Sequence, residues 1–405
     1  MRALSCKHTL RTFISCTLLV CCLSSLIAAP AVPVADVNLA QKAPAALIPS
    51  APNIDASAYI LMDADSGKIL ASKNADKTLP PASLTKLMTS YVISEAIKQG
   101  QIHLDDKVRI SKTAWQRGGS RMFVEAGSQV SVEDLVHGII VASGNDACVA
   151  MAEYIAGSEK GFAELMNQTA ERLGMTETHF VDATGLPDPK HHSTPHDLAI
   201  LSQALINDFP EDYAWYGQKW IKYNDIRQPN RNRLLWRDPT VDGLKTGHTK
   251  AAGYCLISSA KRNDMRLISV VMGAPSDAAR SDDSQALLNW GFRFYETHKL
   301  YTQNTPVTSS RVWLGENKMV NFGISQSLAV TIPKGMYPHL KVDVDLPTTL
   351  KAPIQAGHTY GKIKVSLNDD TISTTPLIAQ SSDPEAGFWS RFTDHIAMTW
   401  HGWFS

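Results

Sequence analysis

At residue 302 the pattern of the chain changes, and that change limits the folds open to it. Between residues 54 and 301, apolar residues recur at helical spacing in some stretches and form strand-like runs in others. Beyond 302 only short strands remain: Val312-Trp313-Leu314, 328–332, 340–346 and 362–367, separated by Gly, Pro and Asn/Asp turns. LKVDVDL (340–346) alternates strictly, as a half-buried strand does. A chain of 405 residues has room for two such domains. Its formal net charge of +0 argues against a nucleic-acid partner. No internal repeat is visible.

The two ends differ from both domains. Arg2, Lys7 and Arg11 precede a short apolar core from Phe13 to Ile27, and Ala29-Pro30-Ala31 follows with small residues. This reads as a signal peptide over 1–31, too short in its apolar core to span a membrane. Four of the six cysteines lie in it; neither Cys21 nor Cys22 has the small preceding residue of a lipoprotein site. Cys148 and Cys255 remain, to pair or to stay as buried thiols. Residues 32–53, rich in Pro and Ala, read as a linker, with order expected from Ile54. At the other end, over 384–405, Phe388, Phe392, Ile396, Thr399/Trp400 and Trp403 recur at helical spacing, joined by Trp389 and Phe404. Such an amphipathic helix suits a membrane surface through 387–405; the competing reading docks it on the β domain.

Within 54–301, Tyr59–Met62 and Lys68–Leu70 around Asp65-Ser66-Gly67 read as a β-hairpin. PPASLTKLMTSYVISEAI (80–97) reads as a helix entered through Pro80-Pro81, with Leu84, Leu87, Met88, Tyr91 and Val92 packed inward. Ser131–Asp134 resembles a capping box ahead of Leu135–Val141, and another helix starts after Asn145. Residues 254–257 and 267–271 are strands about the turn Arg262-Asn263-Asp264. Strands at both ends with helices between predict one mixed sheet covered by helices.

Ser83 and Lys86, three apart, share a helix face. A lysine in apolar surroundings loses solvation, its pKa falls, and it can take a proton from a neighbouring hydroxyl. Ser83 also sits near the helix start, where the dipole favours developing negative charge. S-x-x-K alone occurs widely by chance. Here Ser143-Gly144-Asn145 follows in a tight connection between helices, and Lys245-Thr246-Gly247 lies on the strand VDGLKTGHT. In this order and in an exported chain, the three form the active-site set of serine penicillin-recognising enzymes.

From these motifs, and from SGNDACVAMAEYIAGS, RQPNRNRLLW and NWGFRFYET, the chain resembles the D-alanyl-D-alanine carboxypeptidases of serine peptidase family S11, the low-molecular-mass penicillin-binding proteins of type 5 and 6. The resemblance covers residues 54–405. It implies an α/β (α+β) transpeptidase-like catalytic domain over 54–301, an all-β sandwich domain over 302–383 and the amphipathic anchoring helix. It implies removal of the terminal D-alanine from peptidoglycan pentapeptide stems, covalent inhibition by β-lactams, no cofactor, and a place on the periplasmic face of the inner membrane. Ser83 resembles the nucleophile, Lys86 its base and Ser143 a proton relay; Asn145 would orient Lys86 and substrate. Lys245, Thr246 and Gly247 would line the substrate strand, with Gly247 admitting another backbone. The N–H groups of Ser83 and His248 would form the oxyanion hole. Gly119-Ser120 matches a loop beside the site. Arg231 and Arg280 match basic residues near the substrate carboxylate; an exposed arginine is the competing reading for each. Before Arg280 the family's basic, glycine-containing loop is replaced by Ala274-Pro275-Ser276-Asp277.

Three other readings compete with this one. A class A β-lactamase needs a glutamate in an E-x-x-L-N motif, and FVDATGLPDPKHHST has none. A non-catalytic penicillin-binding scaffold would not need the intact Ser83/Lys86/Ser143/Lys245 set. A zinc site at His191, His192 and His196 is opposed by Pro195 and by the lack of a completing carboxylate, so no metal is expected.

Overall fold

The structure, a computed structural model, describes residues 48–404, with side chains to Met398. The proposed signal segment and most of the linker lie outside the described residues. Strands β1 (Ala58–Asp63) and β2 (Ile69–Lys73) form the hairpin expected at the start. β3 (Val241–Thr249), β4 (Gly253–Arg262) and β5 (Met265–Ala274) complete a five-stranded sheet in the order β2-β1-β5-β4-β3. A mixed sheet was expected, but each adjacent pair is antiparallel. For three of the four pairs the reason is connectivity: short turns join β1 to β2, β3 to β4 and β4 to β5, and such turns reverse direction.

Alternation along these strands divides two cores. Ile60, Met62, Ile257, Ile268 and Val270 belong to one core with buried residues of helices α1 (Lys86–Lys98), α3 (Asn145–Ala156) and α4 (Glu159–Leu173) and with Leu198, Leu201 and Leu205. Tyr59, Leu61, Leu256, Leu267 and Val271 face Leu287, Leu288 and Trp290 of α6 (Asp277–Phe294). Each fully buried aliphatic side chain contributes about 1.5–3 kcal/mol, and a one-residue slip would exchange the two faces, so the register is firmly set. Ile48 and Ala51, in the stretch read as linker, pack on the second core, and Trp290 Nε1 donates to Pro49 O at 3.1 Å.

Between α1 and α3, Ser131 caps α2 (Val132–His137) by accepting from Asp134 N at 3.1 Å. The box is only half formed, because the Asp134 carboxylate accepts from the Ser131 hydroxyl instead of its N–H. The helix expected to continue through Val141 instead widens into a π-helical turn, Gly138–Ala142. Gly138 lets Met122 pack directly on this turn: a Cβ there would lie 2.3 Å from the Met122 sulfur. α5 (Pro195–Asp208) starts with Pro195 at its first turn, behind the cap Thr194.

The β-rich domain contains a six-stranded sheet in the order 340–345, 359–367, 370–379, 319–323, 306–313, 350–351. Strand Tyr295–Tyr301, just before the change of texture, pairs with Leu328–Pro333 in a second, two-stranded sheet. Strand Asp370–Ala379 escaped notice in the sequence because it is Thr/Ser-rich and carries Pro376. Val312, Phe322, Val330, Ile363, Val365 and Leu377 form the core of this domain. Cys148 and Cys255 are both free and buried, which resolves the open choice in favour of thiols. Burial pushes them up to about 12 and about 11, so both stay protonated at neutral pH.

Helix α7 (Phe388–Phe404) is attached to the β-rich domain by its polar side. The Asp394 carboxylate accepts from Leu314 N at 2.9 Å and pairs with Arg311 at 3.3 Å. Phe388 and Trp389 are 69% and 77% exposed, and Phe392 and Ile396 are also exposed. No helix among the described residues is long and apolar enough to cross a membrane.

The two domains are joined by a polar staple. Asp63, fully buried at the end of β1, accepts from Asp65 N and Ser66 N at 3.1 and 2.8 Å and from the Thr297 hydroxyl at 2.6 Å. Thr331 joins it through Ser66 and Thr297, and its carbonyl accepts from Lys68 Nζ at 2.9 Å. Asp63→Ala strands several donors at once and is expected to destabilise the protein by about 2–4 kcal/mol, read as a lower denaturation midpoint.

Candidate active site

Pro80-Pro81 precede a 3-10 turn, Ala82–Thr85, that runs into α1 and carries Ser83 at its outer side. Ala82 adopts φ +49°, a left-handed conformation costing a residue with a Cβ about 1–2 kcal/mol. Two glycines hold it there. A Cβ on Gly185 (φ +80°) would lie 1.8 Å from Ala82 O, and one on Gly247 would lie 3.1 Å from Pro81 O and 3.2 Å from Ser83 N. The backbone that Gly247 admits is therefore the chain's own Pro81–Ser83 segment.

Lys86 Nζ lies 3.1 Å from Ser83 Oγ and donates to Thr184 O at 2.6 Å. Lys86 is 1% exposed and both partners of its amine are neutral oxygens. Burial drives its pKa below the ordinary 10.5; the charge of Arg231 acts in the same sense and Asp182 opposes it. Lys245, also buried, is pushed well below 10.5 by burial and then by the charge of Lys86. Two amines desolvated side by side favour the uncharged form, and an uncharged Lys86 can take the Ser83 proton.

The π-helical turn ends at Ser143, itself left-handed at φ 60°. Its hydroxyl and the side-chain oxygen Oδ1 of Asn145 are buried without a protein partner. Asn145, expected to orient Lys86 and substrate, also holds the 118–120 loop: its Nδ2 donates to Gly118 O at 2.7 Å and its backbone N–H donates to Ser120 O at 2.7 Å. The next residue, Asp146, accepts from Met122 N and Phe123 N, both at 2.9 Å, and fixes the continuation of that loop.

Ser83, Ser120, Ser143, Arg231, Thr246, Gly247, His248 and Arg280 border one cleft of about 440 Å³. The two arginines differ. Arg231 is exposed and donates to Ser120 Oγ at 2.7 Å. Arg280 is 5% exposed, donates to Gly247 O at 3.0 Å and Cys255 O at 3.3 Å, and pairs with Asp277. The exposed-arginine reading thus fails for Arg280: the departure at Asp277 supplies its counter-charge. His191 is buried against Thr85, and His196 pairs with Asp76 at 3.2 Å, so two of the three histidines considered for zinc have other partners.

Several contributors were not read from the sequence. Thr184 acts through its carbonyl, which no side-chain pattern reveals. Asp182 organises the same loop by accepting from Thr184 N and Gly185 N at 2.6 and 2.7 Å. Tyr254 stacks on His248 at 4.1 Å, a contact that the register of the β3–β4 hairpin would have given.

Residues 45–276 match the D-alanyl-D-alanine carboxypeptidase family, peptidase S11, and residues 295–385 match the C-terminal domain of penicillin-binding protein 5. The chain belongs to this family of serine D-alanyl-D-alanine carboxypeptidases. It is 48% identical over 362 residues to the D-alanyl-D-alanine carboxypeptidase DacC of Escherichia coli, covering 87% of this chain and 90% of that one. Identity to DacA of the same organism is 43% over 366 residues, covering 88% and 91%. Penicillin-binding protein 5 from Haemophilus influenzae superimposes with a TM-score of 0.79 at 42% identity, covering 83% of this chain and all of that structure. Penicillin-binding protein D2 from Listeria monocytogenes in its ampicillin-bound form gives 0.56 at 32% identity, covering 60% and 100%.

Gly185→Ala puts a methyl group into the Ala82 carbonyl at a strained φ. It is expected to destabilise the fold by at least about 2 kcal/mol and to slow covalent labelling by penicillin, measured by denaturation and by labelling kinetics.

Proposed function

We infer that this chain removes the terminal D-alanine from peptidoglycan pentapeptide stems, with Ser83 as nucleophile. The observation that carries the reading is a buried Lys86 amine 3.1 Å from the Ser83 hydroxyl, with neutral oxygens as its hydrogen-bond partners. In the proposed sequence, Lys86 takes the hydroxyl proton as Oγ attacks the D-Ala–D-Ala carbonyl. The oxyanion is held by the N–H groups of Ser83 and His248. Ser143 relays a proton to the leaving amine of D-alanine, and the C–N bond breaks to leave an ester on Ser83. Water, activated by Lys86, then adds to the ester, and the proton returns to Oγ as the acid departs. Lys245, Thr246 and Gly247 would line the bound peptide, with Ser120 and Asn145 at its side and Arg231 and Arg280 near its carboxylate. Penicillin would acylate the same serine.

We assign catalysis to 54–301, with the β domain (302–383) and α7 as its support. An aromatic, exposed row at Phe388, Trp389, Phe392 and Ile396, on a helix held from its polar side, suits adsorption to a membrane surface. With export, this supports a position on the periplasmic face of the inner membrane.

Ser83→Ala is expected to abolish both D-alanine release from a diacyl-lysyl-D-Ala-D-Ala peptide and penicillin labelling; labelling that persists would assign the nucleophile elsewhere. Intact labelling without D-alanine release by the native chain would favour a scaffold. Because burial lowers the Lys86 pKa, its neutral form prevails from a pH below 10.5 upward. Acylation should rise with pH through that lowered value and be lost on acidification.

Deleting 387–405 is expected to release an active enzyme from vesicles that retain the full chain in sedimentation. Retention of the shortened chain would refute the anchor.

A further inference from the structure

His191 belongs to none of the three motifs, yet it is 3% exposed and both ring nitrogens are committed. Val181 N–H donates to Nδ1 at 3.3 Å, and Nε2 lies 2.9 Å from Thr85 Oγ1. A ring nitrogen that accepts carries no proton, so the hydrogen resides on Nε2 and is donated to Thr85. The Thr85 hydroxyl passes its own hydrogen to Ala82 O at 2.8 Å. Every atom in this relay serves in a role its chemistry allows. Burial lowers the His191 pKa and keeps Nδ1 bare; His179 and His192 act in the same sense, and Asp182 and Asp188 oppose.

The Ala82 carbonyl and the Ser83 N–H are the two ends of one planar peptide unit. Whatever fixes the direction of one fixes the other. Because Ala82 is held at φ +49°, this peptide is strained and needs an external hold. Sterics from Gly185 and Gly247 limit its position, while the Thr85 hydrogen bond sets its direction.

We propose that His191 is a positioning residue which, through Thr85, orients the Ala82–Ser83 peptide and thereby aims the Ser83 N–H at the developing oxyanion. The inference rests on the reading of Ser83 as nucleophile. A donor aimed where charge develops accelerates the chemical step and leaves ground-state binding nearly unchanged.

The test resolves penicillin acylation of the full chain into non-covalent affinity and acylation rate. Losing an oxyanion donor costs roughly 10²–10³ in rate, so mis-aiming one in His191→Phe should cost about 10–100-fold, with affinity changed less than about 3-fold. His191→Gln, which keeps a donor and an acceptor, should recover most of the rate. Thr85→Val should match His191→Phe, Thr85→Ser should be near wild type, and the double variant should be no worse than the worse single. A wild-type acylation rate in His191→Phe, or losses that multiply in the double variant, would overturn the proposal. Should His191→Phe not fold, Thr85→Val against Thr85→Ser decides it: equal rates refute the relay and a rate recovered by serine supports it. Mass spectrometry of each adduct separates the two failures, since a label away from Ser83 refutes the nucleophile assignment, whereas a normal rate on Ser83 refutes only His191.

Discussion

Everything at the cleft depends on how tightly two remote segments grip the turn at Pro81–Ser83. Gly185 approaches from the loop before α5 and Gly247 from the edge strand β3, and neither site has room for a side chain. Their pressure lets Ala82 keep a conformation that alanine otherwise avoids. Ser83 therefore emerges at one angle, close to Lys86 and against β3. Local strain at Ala82 and Ser143 is offset by the two cores beneath, whose alternating side chains fix the sheet to within one residue.

The same packing sets the electrostatics. Lys86 and Lys245 lie under the cleft floor with neutral oxygens as hydrogen-bond partners. A stable protein would gain from placing a carboxylate beside them, but a paired Lys86 would hold its proton and could not accept another. The arrangement spends stability on reactivity, as sites with perturbed amines do. By contrast Arg280 has its counter-ion, Asp277, and serves to tie β3 to β4.

Much of this was legible in the sequence. The hairpin at 58–73, the entry to α1 and the strand carrying Lys245 followed from periodicity and turn residues, and the S-x-x-K, S-x-N and K-T-G motifs pointed to one family. What escaped has a common cause. The Thr184 carbonyl, the π-helical turn before Ser143 and the Asn145–Gly118 bond are backbone events, and a sequence lists side chains. The relay from His191 to Ala82 joins residues that only the folded chain brings together. The sequence also gave no warning that Arg231 and Arg280, alike in type, would differ so fully in burial.

The staple at Asp63 ties the β-rich domain to β1, and the clamp at Asp394 ties α7 to the β-rich domain. The first is made of directional contacts to backbone N–H groups and hydroxyls, the second of a backbone N–H and the Arg311 guanidinium, and such contacts resist rotation better than apolar packing does. The β-rich domain thereby links the aromatic row of α7 to the first strand of the sheet that carries Lys245. A surface that took up that row would also constrain how the cleft is presented, so reach would be governed by the skeleton of the molecule and not by tumbling.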